Sequence, residues 1–321
     1  MLSEVVIVGG GLTGLAAAWE LEQIGLPYTL IEVKARLGGS ILTERHAGFV
    51  VDGGPFIHEK YGEWPFLEPL GLADSLRVVG RYRDGELVIF KAGTQALTEA
   101  LAARLRGTIL KRMAVSSLGL LDGRGGTRFG ICLENGLLLD AHAVIITAPA
   151  RYAEHMIRSL HPEAALRLLD YRYDAVVRVA LGFHRAALPE AILARRPAFI
   201  PPADDRIRFL QLCDLADRVP AGMVLVRAGV RVDDAPAAAE LLARVRSAVA
   251  PAGEPVFDWL YYWPEADPLT VHLPEHADNM AAIAALLPPR VVLAGSDYDG
   301  TRLDQRIEAG RAAARRIAAA L

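Results

Sequence analysis

The sequence predicts an α/β protein, in which a Rossmann-like dinucleotide-binding domain is joined to a second, α+β substrate domain. A complete strand, glycine turn, helix, strand and acid unit occupies residues 5–32. Apolar strand-like runs return at residues 143–147 and 291–294, late enough to complete a parallel sheet. Residues 151–284 mix antiparallel strand patterns with helical ones, which predicts the second domain.

The opening unit has the parts of a dinucleotide-binding motif in the expected order. An apolar run at Val5–Val8 precedes a G-x-G-x-x-G turn at Gly9–Gly14, a helical stretch, a strand at Tyr28–Ile31 and the acid Glu32. This is the strand–helix–strand fingerprint of dinucleotide-binding proteins. A glycine-rich turn in another kind of α/β protein is the alternative, but the flanking strands and the acid argue against it.

Each part of the motif has a physical job. Gly9 permits a tight turn, Gly11 lets backbone approach a pyrophosphate, and Gly14 lets the helix pack close to the strand. The helix N-terminus offers N–H groups and a partial positive charge to phosphates. Glu32 can accept hydrogen bonds from a ribose diol.

The next residues indicate which dinucleotide is bound. Arg36-x-Gly38-Gly39 follows Glu32, and the run Asp52–Pro55 comes soon after. A second glycine pair lets backbone pass the far side of the pyrophosphate, and Arg36 can add a charge-assisted contact. With these motifs the chain resembles the flavin-dependent amine oxidase superfamily. The resemblance implies FAD in a domain of the glutathione-reductase/amine-oxidase type, with the Asp52–Pro55 backbone against the isoalloxazine ring.

Later segments resemble the same superfamily. A helix start at Gly93–Leu97, an adenine-contacting strand at Ala114-Val115 and a strand ending at Thr147–Pro149 stand in the family's order. After the closing strand, Ser296 takes the place of the usual acid and Asp297 follows one residue later. The resemblance implies that Asp297 touches the flavin side of the cofactor, with Ser296 as its rival.

The run Trp263–Pro268 is closer to protoporphyrinogen oxidases than to monoamine oxidases. Protoporphyrinogen oxidases carry a long, largely helical insertion that builds a membrane-binding surface, where this chain has a few residues between Leu87 and Gly93. The chain therefore looks like a short, soluble relative of renalase-like size. We expect an FAD-binding domain from residues 1–76, 92–150 and 285–321, and a substrate domain from residues 77–91 and 151–284.

Shorter elements follow from local patterns. Residues 63–76 predict a helix, and residues 80–91 predict a hairpin because Asp84-Gly85 separates two strand-like runs. A strand is expected at Val176–Phe183 and an amphipathic helix at Ala237–Val249.

The expected cofactor site combines the opening motif with the segments that the resemblance adds. We expect FAD to be held non-covalently, because neither Cys132 nor Cys213 stands in a recognisable flavin-linking context. The expected cofactor-binding residues are Gly9, Gly11, Leu12, Thr13, Gly14, Glu32, Val33, Arg36, Gly38, Gly39, Ser40, Gly53, Gly54, Pro55, Val115, Thr147, Pro149, Gly295, Ser296, Asp297, Arg302 and Leu303.

Flavin oxidation asks the protein for orientation, electrostatics and exclusion of water, so neither a catalytic triad nor a carboxylate pair is needed. The candidate catalytic residues are Tyr261, Tyr262, Trp263, Arg178 and His58. The three aromatic residues can wall a flat substrate or pack as ordinary strand core. Arg178 can face a substrate anion or solvent, and His58 has a surface position as its alternative.

Composition excludes several functional classes. The chain has 321 residues, 52% of them hydrophobic, with a formal net charge of −3. This charge leaves no nucleic-acid footprint, and the two distant cysteines predict neither a disulfide framework nor a metal site. Without a spanning apolar stretch or a basic leader, we expect a soluble, cytoplasmic protein with no stable membrane association.

Three functional classes remain open. The first is an FAD oxidase or dehydrogenase that takes a hydride from an amine or a porphyrinogen-like substrate, which is flat or bulky. The second is an NAD(P)H-dependent flavin reductase or a redox-neutral, mutase-like flavoenzyme. The third is a flavin-binding scaffold without turnover. Bleaching of the flavin by NAD(P)H would identify a reductase, and an inert flavin would identify a scaffold.

Overall fold

The computed structural model describes residues 2–121, 128–194, 204–233 and 237–321. The strands, in chain order, are β1 (Leu2–Val8), β2 (Tyr28–Glu32), β3 (Thr43–His46), β4 (Phe49–Asp52), β5 (His58–Lys60), β6 (Leu76–Tyr82), β7 (Gly85–Phe90), β8 (Thr108–Lys111), β9 (Val115–Leu121), β10 (Arg128–Leu133), β11 (Leu138–Ile146), β12 (Tyr173–His184), β13 (Ile207–Cys213), β14 (Met223–Val232), β15 (Phe257–Pro268) and β16 (Val291–Leu293). The helices are α1 (Leu12–Ile24), α2 (Gln95–Ala102), α3 (Ala150–Ile157), α4 (Pro162–Leu169), α5 (Glu190–Leu193), α6 (Ala238–Val249), α7 (His276–Leu286) and α8 (Leu303–Ala320). Short 3₁₀ turns cover Arg185–Ala187 and Leu269–His272.

A largely parallel sheet carries the first domain. Strands β8, β2, β1 and β11 lie side by side in that order, and β16 adds a parallel strand along the C-terminal half of β11. The N-terminal half of β11 pairs antiparallel with β10, which pairs with β9. This arrangement confirms the predicted Rossmann-like α/β fold.

Helices α1 and α8 pack against each other beside this sheet. Leu15 of α1 and Ile317 of α8 are fully buried in the same cluster as Leu30 of β2. A Cβ placed on Gly310 would lie 2.2 Å from the carbonyl oxygen of Thr13, so the close approach requires glycine there. The contact aligns the first turn of α1 with the N-terminal half of α8.

A four-stranded antiparallel sheet forms the second domain, in the order β13, β14, β12, β15. On one face, Val177 packs against Leu241 of α6. On the other face, Ala180 and Leu225 pack against Phe49 of the first domain. Alternate side chains of a strand point to opposite faces, so each face of this sheet has its own partner.

One predicted short element is confirmed and another is wrong. Strands β6 and β7 form the predicted hairpin, and β5 pairs with β7. The helix predicted at 63–76 is instead a series of turns, such as the one closed by Leu67 N–H and the Trp64 carbonyl at 3.0 Å. Pro65 and Pro69 lack the N–H groups that a continuous helix would need.

The packing suggests a different domain boundary from the expected one. Helices α3, α4 and α7 contribute Ala153, Leu168 and Ile283 to the buried cluster that contains Val6 of β1. The β6–β7 hairpin contributes Phe90 to the cluster around α1. We therefore propose that the substrate domain comprises the β12–β15 sheet with α5 and α6, and that the other segments belong to the FAD-binding domain.

The cysteines, the potential metal ligands and the helices of the described ranges point to no additional kind of site. Cys213 is buried, Cys132 is half-buried, and both thiols are free. No group of histidine, cysteine, aspartate and glutamate side chains in these ranges could hold a metal ion. None of the helices described here has both the length and the apolar character needed to cross a membrane.

Two arginines of the second domain bind the end of β4. Arg218 donates from Nη2 to Oδ2 of Asp52 at 2.5 Å and from Nη1 to the Phe90 carbonyl at 2.7 Å. The Arg218 and Asp52 side chains are 0% and 1% exposed. Arg227 donates from Nη2 to the carbonyls of Asp52 and Gly54, at 2.6 and 3.0 Å. The polar contacts fix the second sheet over the residues that follow β4.

We predict that Arg218→Met lowers the free energy of unfolding by about 3–5 kcal/mol, because the buried Asp52 carboxylate loses its cationic partner. The matched control is Arg77→Met, which removes an ion pair to Asp217 whose side chains are 41% and 30% exposed. The control should cost no more than about 1 kcal/mol. Denaturant unfolding measures both, and equal losses would contradict the prediction.

Candidate active site

The carboxyl ends of the parallel strands meet at one edge of the first sheet. Gly9, which follows β1, donates its N–H to the Ile31 carbonyl of β2 at 2.8 Å. Thr147, which follows β11, donates from Oγ1 to the Gly9 carbonyl at 3.0 Å. The N–H of Ala294, after β16, donates to the Ile146 carbonyl at 3.0 Å. Ligands of open α/β sheets bind at this edge.

Glycines leave a backbone-lined groove at this edge. Gly11 and Gly38 form an isolated parallel bridge. Among the described residues outside its chain neighbours, the only atom within 4 Å of a Cβ placed on Gly11 is the Cα of Gly39, at 3.8 Å. A Cβ on Gly14, in contrast, would lie 1.9 Å from the Gly9 carbonyl oxygen. Gly14 therefore serves packing, whereas the missing side chain of Gly11 leaves free space.

The groove fits the pyrophosphate of a dinucleotide. Gly11 is the N-cap residue of α1, and no side chain caps this helix. Its first N–H groups are therefore left for phosphate oxygens, which the helix dipole also favours. Leu12 and Thr13 are buried in the first turn and would contribute through their backbone.

Glu32 orders the turns on both sides of the groove. Its Oε2 accepts from the Gly10 N–H at 2.7 Å, and its Oε1 accepts from the Lys34 N–H at 2.7 Å. Each carboxylate oxygen has a further lone pair, so the expected ribose contact is compatible with both bonds. Val33 is exposed, and the chain before Val115 runs alongside Glu32. The adenosine contacts of these residues stay a prediction.

Arg36 binds protein carbonyls in this structure. It donates from Nη1 to the Ile41 carbonyl at 2.9 Å and from Nη2 to the Gly39 carbonyl at 2.7 Å. The guanidinium thus shapes the Gly38–Gly39 loop that faces Gly11. Its expected direct contact with a phosphate stays a prediction.

Asp297 is engaged by protein groups at the end of the closing strand. Its Oδ2 accepts from the N–H of Ala150, which follows Pro149 at the start of α3, at 2.9 Å, and from the Tyr173 hydroxyl. Its Oδ1 accepts from the Ser296 hydroxyl at 2.9 Å. Asp297 is buried and Ser296 is half-buried. Both carboxylate oxygens of Asp297 thus have protein partners, and the expected contact of Asp297 or Ser296 with a cofactor stays a prediction.

The start of α8 brings a residue that the sequence did not single out. Leu303 is buried, while Arg302 pairs with Asp304 at 3.0 Å. One turn later, Arg306 is buried, and its Nε has no partner among the described residues. Burial lowers the pKa of Arg306 to about 10, although Asp297 opposes the shift. Arg306 therefore remains a cation, with Asp297 as the acid that favours its charge.

Aromatic side chains of β15 cover the loop after β4. Trp263 donates from Nε1 to the Gly53 carbonyl at 2.6 Å. Tyr261 stacks on Trp263 with ring centroids 4.3 Å apart, and Trp259 lies 5.8 Å from Tyr261. We call Trp259, Tyr261 and Trp263 the aromatic wall. Tyr262 projects to the opposite face of the sheet and is 45% exposed. That Tyr262 or Trp263 lies near the flavin stays a prediction.

The glycines after β4 allow close approach of protein groups. A Cβ on Gly53 would lie 2.5 Å from Cη2 of Trp259, and a Cβ on Gly54 would lie 2.2 Å from the Ser40 carbonyl oxygen. Pro55 is exposed beside them. Trp259 was missed by the sequence analysis, although the alternation of aromatic residues along β15 could have found it. Contact between this loop and the isoalloxazine ring stays a prediction.

His58 is buried, which overturns the alternative of a surface position. Its Nε2 lies 3.0 Å from Oγ1 of Thr94, and Thr94 donates its own proton to the Pro55 carbonyl at 3.2 Å. His58 therefore donates to Thr94 as a neutral ring. Burial lowers the pKa of His58 to about 4, with help from Arg227 and against Asp52.

We predict that Gly11→Ala weakens FAD binding at least about 10-fold without unfolding the apoprotein. Gly11 has an extended backbone (φ −75°, ψ −176°), so alanine fits the fold but fills space that the pyrophosphate needs. Gly119→Ala is the control, since nothing described lies within 4 Å of a Cβ there. Titration of both apoproteins with FAD is the measurement; equal dissociation constants would contradict the prediction.

We predict that the free energy of unfolding falls less steeply with decreasing pH in His58→Gln than in wild type. The unfolded chain protonates His58 near pKa 6.5, whereas the folded chain resists protonation until about 4. Stability is therefore complete above pH 6.5 and falls as the pH drops toward 4. Between pH 7 and 5, wild type should lose about 2 kcal/mol more than the variant. Denaturant unfolding at fixed FAD concentration tests this, and parallel pH curves would refute it.

Two family models match the chain. The model described as flavin containing amine oxidoreductase covers residues 59–318. A model of an NAD(P)-binding Rossmann-like domain covers residues 7–67. Together they span both the glycine motif and the second sheet.

Individual proteins show the same likeness. The chain is 38% identical over 78 residues to coproporphyrinogen III oxidase of Propionibacterium freudenreichii subsp. freudenreichii. The aligned residues make up 24% of this chain and 15% of that protein. The match therefore spans less than two thirds of that relative. A putative protoporphyrinogen oxidase from Exiguobacterium sp. 255-15 has a similar fold, with a TM-score of 0.83, 17% identity and 99% of each chain covered. Wild-type putrescine oxidase bound to putrescine gives a TM-score of 0.69, with 14% identity and 99% of each chain covered.

The two solved structures have the same fold as this chain. The family match indicates flavin-dependent oxidation and reduction. The expected resemblance, the FAD cofactor and the assignment as an enzyme are confirmed. The chain belongs to the flavin containing amine oxidoreductase family and is an FAD-dependent oxidoreductase.

Proposed function

We propose that this enzyme transfers a hydride to the flavin from a substrate of the porphyrinogen type, which carries flat pyrrole rings. The observation that carries the proposal is the aromatic wall, which lies directly over the loop at Gly53. Stacked aromatic rings present a flat apolar surface on which a flat ring system can lie. The loop is the segment expected to meet the isoalloxazine ring.

Charge favours a porphyrinogen-like substrate over an amine. Arg178 and Arg227 lie on the same face of the second sheet as the aromatic wall. Asp52, the acid at the end of β4, is already paired with Arg218. A cationic amine would meet positive charge there, whereas an anionic substrate would be attracted.

The names of the relatives also favour a porphyrinogen-like substrate. One of them is named a coproporphyrinogen III oxidase, and a structural neighbour is described as a putative protoporphyrinogen oxidase. The putrescine oxidase likeness keeps an amine substrate as the competing proposal. We further propose that the substrate is a small molecule that enters between the two domains.

The chain's own residues bind, orient and exclude water. When bound, FAD supplies the hydride acceptor. The Gly11 groove and Glu32 would hold its dinucleotide portion. Trp263 and Arg227 fix the Gly53 and Gly54 carbonyls, so the loop has little freedom to move. His58 is neutral and hydrogen-bonded to Thr94, which gives it a part in holding the loop at Pro55.

Anaerobic reduction of the holoenzyme tests the proposal. Coproporphyrinogen III should bleach the visible absorbance of the flavin, and putrescine should not. Bleaching by putrescine alone would establish the amine alternative. Bleaching by NADPH alone would indicate a flavin reductase, and no bleaching by any of the three would indicate a scaffold or a redox-neutral enzyme.

Adjacent tyrosines provide a matched pair of variants. Tyr261→Leu should slow reduction about 2- to 10-fold, because it removes about 0.5–1.5 kcal/mol of ring stacking. Tyr262→Leu should leave the rate unchanged, since its side chain lies on the other face of β15. Stopped-flow reduction measures both rates; equal slowing of the two would show that the aromatic wall does not meet the substrate.

A further inference from the structure

Arg178 on β12 has an open guanidinium beside the aromatic wall. Its Nε is buried and lacks a hydrogen-bond partner among the described residues. Its two Nη nitrogens also have no hydrogen bond or ion pair within the described ranges, but they are not buried, and the residue is half-buried. The two Nη nitrogens of Arg178 thus keep some solvent exposure and lie without a partner among the described residues.

Uncharged groups hold the guanidinium in place. Its Cζ lies 4.8 Å from the centroid of the Phe209 ring, in cation–π geometry. A Cβ placed on Gly229 would lie 2.7 Å from Nη1, so the guanidinium occupies the space that a side chain would fill there. Among the residues that the structure describes, no carboxylate pairs with Arg178 to set its orientation.

Strand register places Arg178 on the substrate side. Arg178 pairs with Tyr261 on β15 and with Gly229 on β14. Arg227, two residues before Gly229, faces the same way and binds the Gly54 carbonyl. Two residues along a strand correspond to roughly 7 Å. Arg178 therefore lies about two residues along the sheet from Arg227, which binds the loop, and beside Tyr261, the middle residue of the aromatic wall.

Arg178 forms no ion pair in the described part of the chain, and it keeps its charge at neutral pH. Burial lowers its pKa to about 10, so it stays protonated at neutral pH. Asp267 is the acid that favours its charged form, but Asp267 is paired with Arg208 at 3.3 Å. A partly desolvated cation without a partner is costly, and a ligand anion would remove that cost.

We propose that Arg178 binds a carboxylate of the substrate, while the aromatic wall binds its flat rings. The substrate class is then an aromatic or porphyrinogen-like molecule that carries at least one carboxylate. The fork of a guanidinium matches a carboxylate in a bidentate pair. This inference rests on the proposed function, because it assumes that the substrate lies against the aromatic wall.

Ligand titration of the holoenzyme tests Arg178 without turnover. The probe is 2-naphthoate, a flat carboxylate, and the neutral comparison is 2-naphthamide; perturbation of the flavin spectrum reports binding. Wild type should bind the carboxylate more tightly than the amide. Arg178→Met should weaken naphthoate binding about 10- to 100-fold and leave the amide unchanged.

Further variants separate recognition from structural damage. Arg178→Lys keeps the charge but loses the fork, so its naphthoate affinity should lie between wild type and Arg178→Met. Arg246→Met removes a cation of α6, on the opposite face of the same sheet, where it pairs with the exposed Glu254, and should change nothing. All variants should keep the wild-type FAD dissociation constant.

Several results would overturn the inference. These are equal binding of the two probes by wild type, binding of neither, an Arg178→Met variant with unchanged naphthoate affinity, or a loss of FAD affinity that accounts for the effect. Failure of the proposed function is recognised separately, because coproporphyrinogen III could fail to bleach the flavin while carboxylate binding still depends on Arg178.

Discussion

The rest of the structure depends on how Asp52 is satisfied at the end of β4. Its Oδ1 accepts from the Thr94 N–H at 2.9 Å, its Oδ2 accepts from Arg218, and its carbonyl accepts from Arg227. Thr94 caps the start of α2, Arg218 lies in a loop of the second sheet, and Arg227 lies on β14. The ring of Phe56 lies 4.9 and 4.6 Å from the Cζ atoms of the two arginines. Asp52 thus holds the second sheet over the loop at Gly53 and Gly54.

That anchoring gives the two faces of the second sheet different tasks. The face toward α6 is apolar and supplies stability through side chains such as Val179 and Val245. The face toward the first domain carries Arg178, Arg227 and the aromatic wall. Arg227 has its hydrogen-bonding groups occupied by carbonyls, whereas Arg178 does not. The same residue type therefore serves structure at one position and is left available for a ligand at the next.

Local sequence was enough to predict the cofactor domain. The order of Gly9, Gly11, Gly14 and Glu32 between two strands depends on contacts within about 30 residues, as in other βαβ units. The Asp84-Gly85 hairpin likewise follows from turn geometry alone. The helix expected at 63–76 failed because periodicity was weighed without the two prolines inside it.

The sequence by itself determined the dinucleotide-binding motif, and its resemblance to a flavin-dependent family indicated FAD and predicted a second domain. Only the tertiary structure decided which side chains face the site. Tyr261 and Tyr262 are neighbours of the same type, yet the pairing of β15 with β12 sends them to opposite faces. Likewise, the buried place of His58 and the half-buried place of Arg178 depend on strands distant in sequence. Local patterns carry no information about such long-range register, because the register is set by packing between whole sheets.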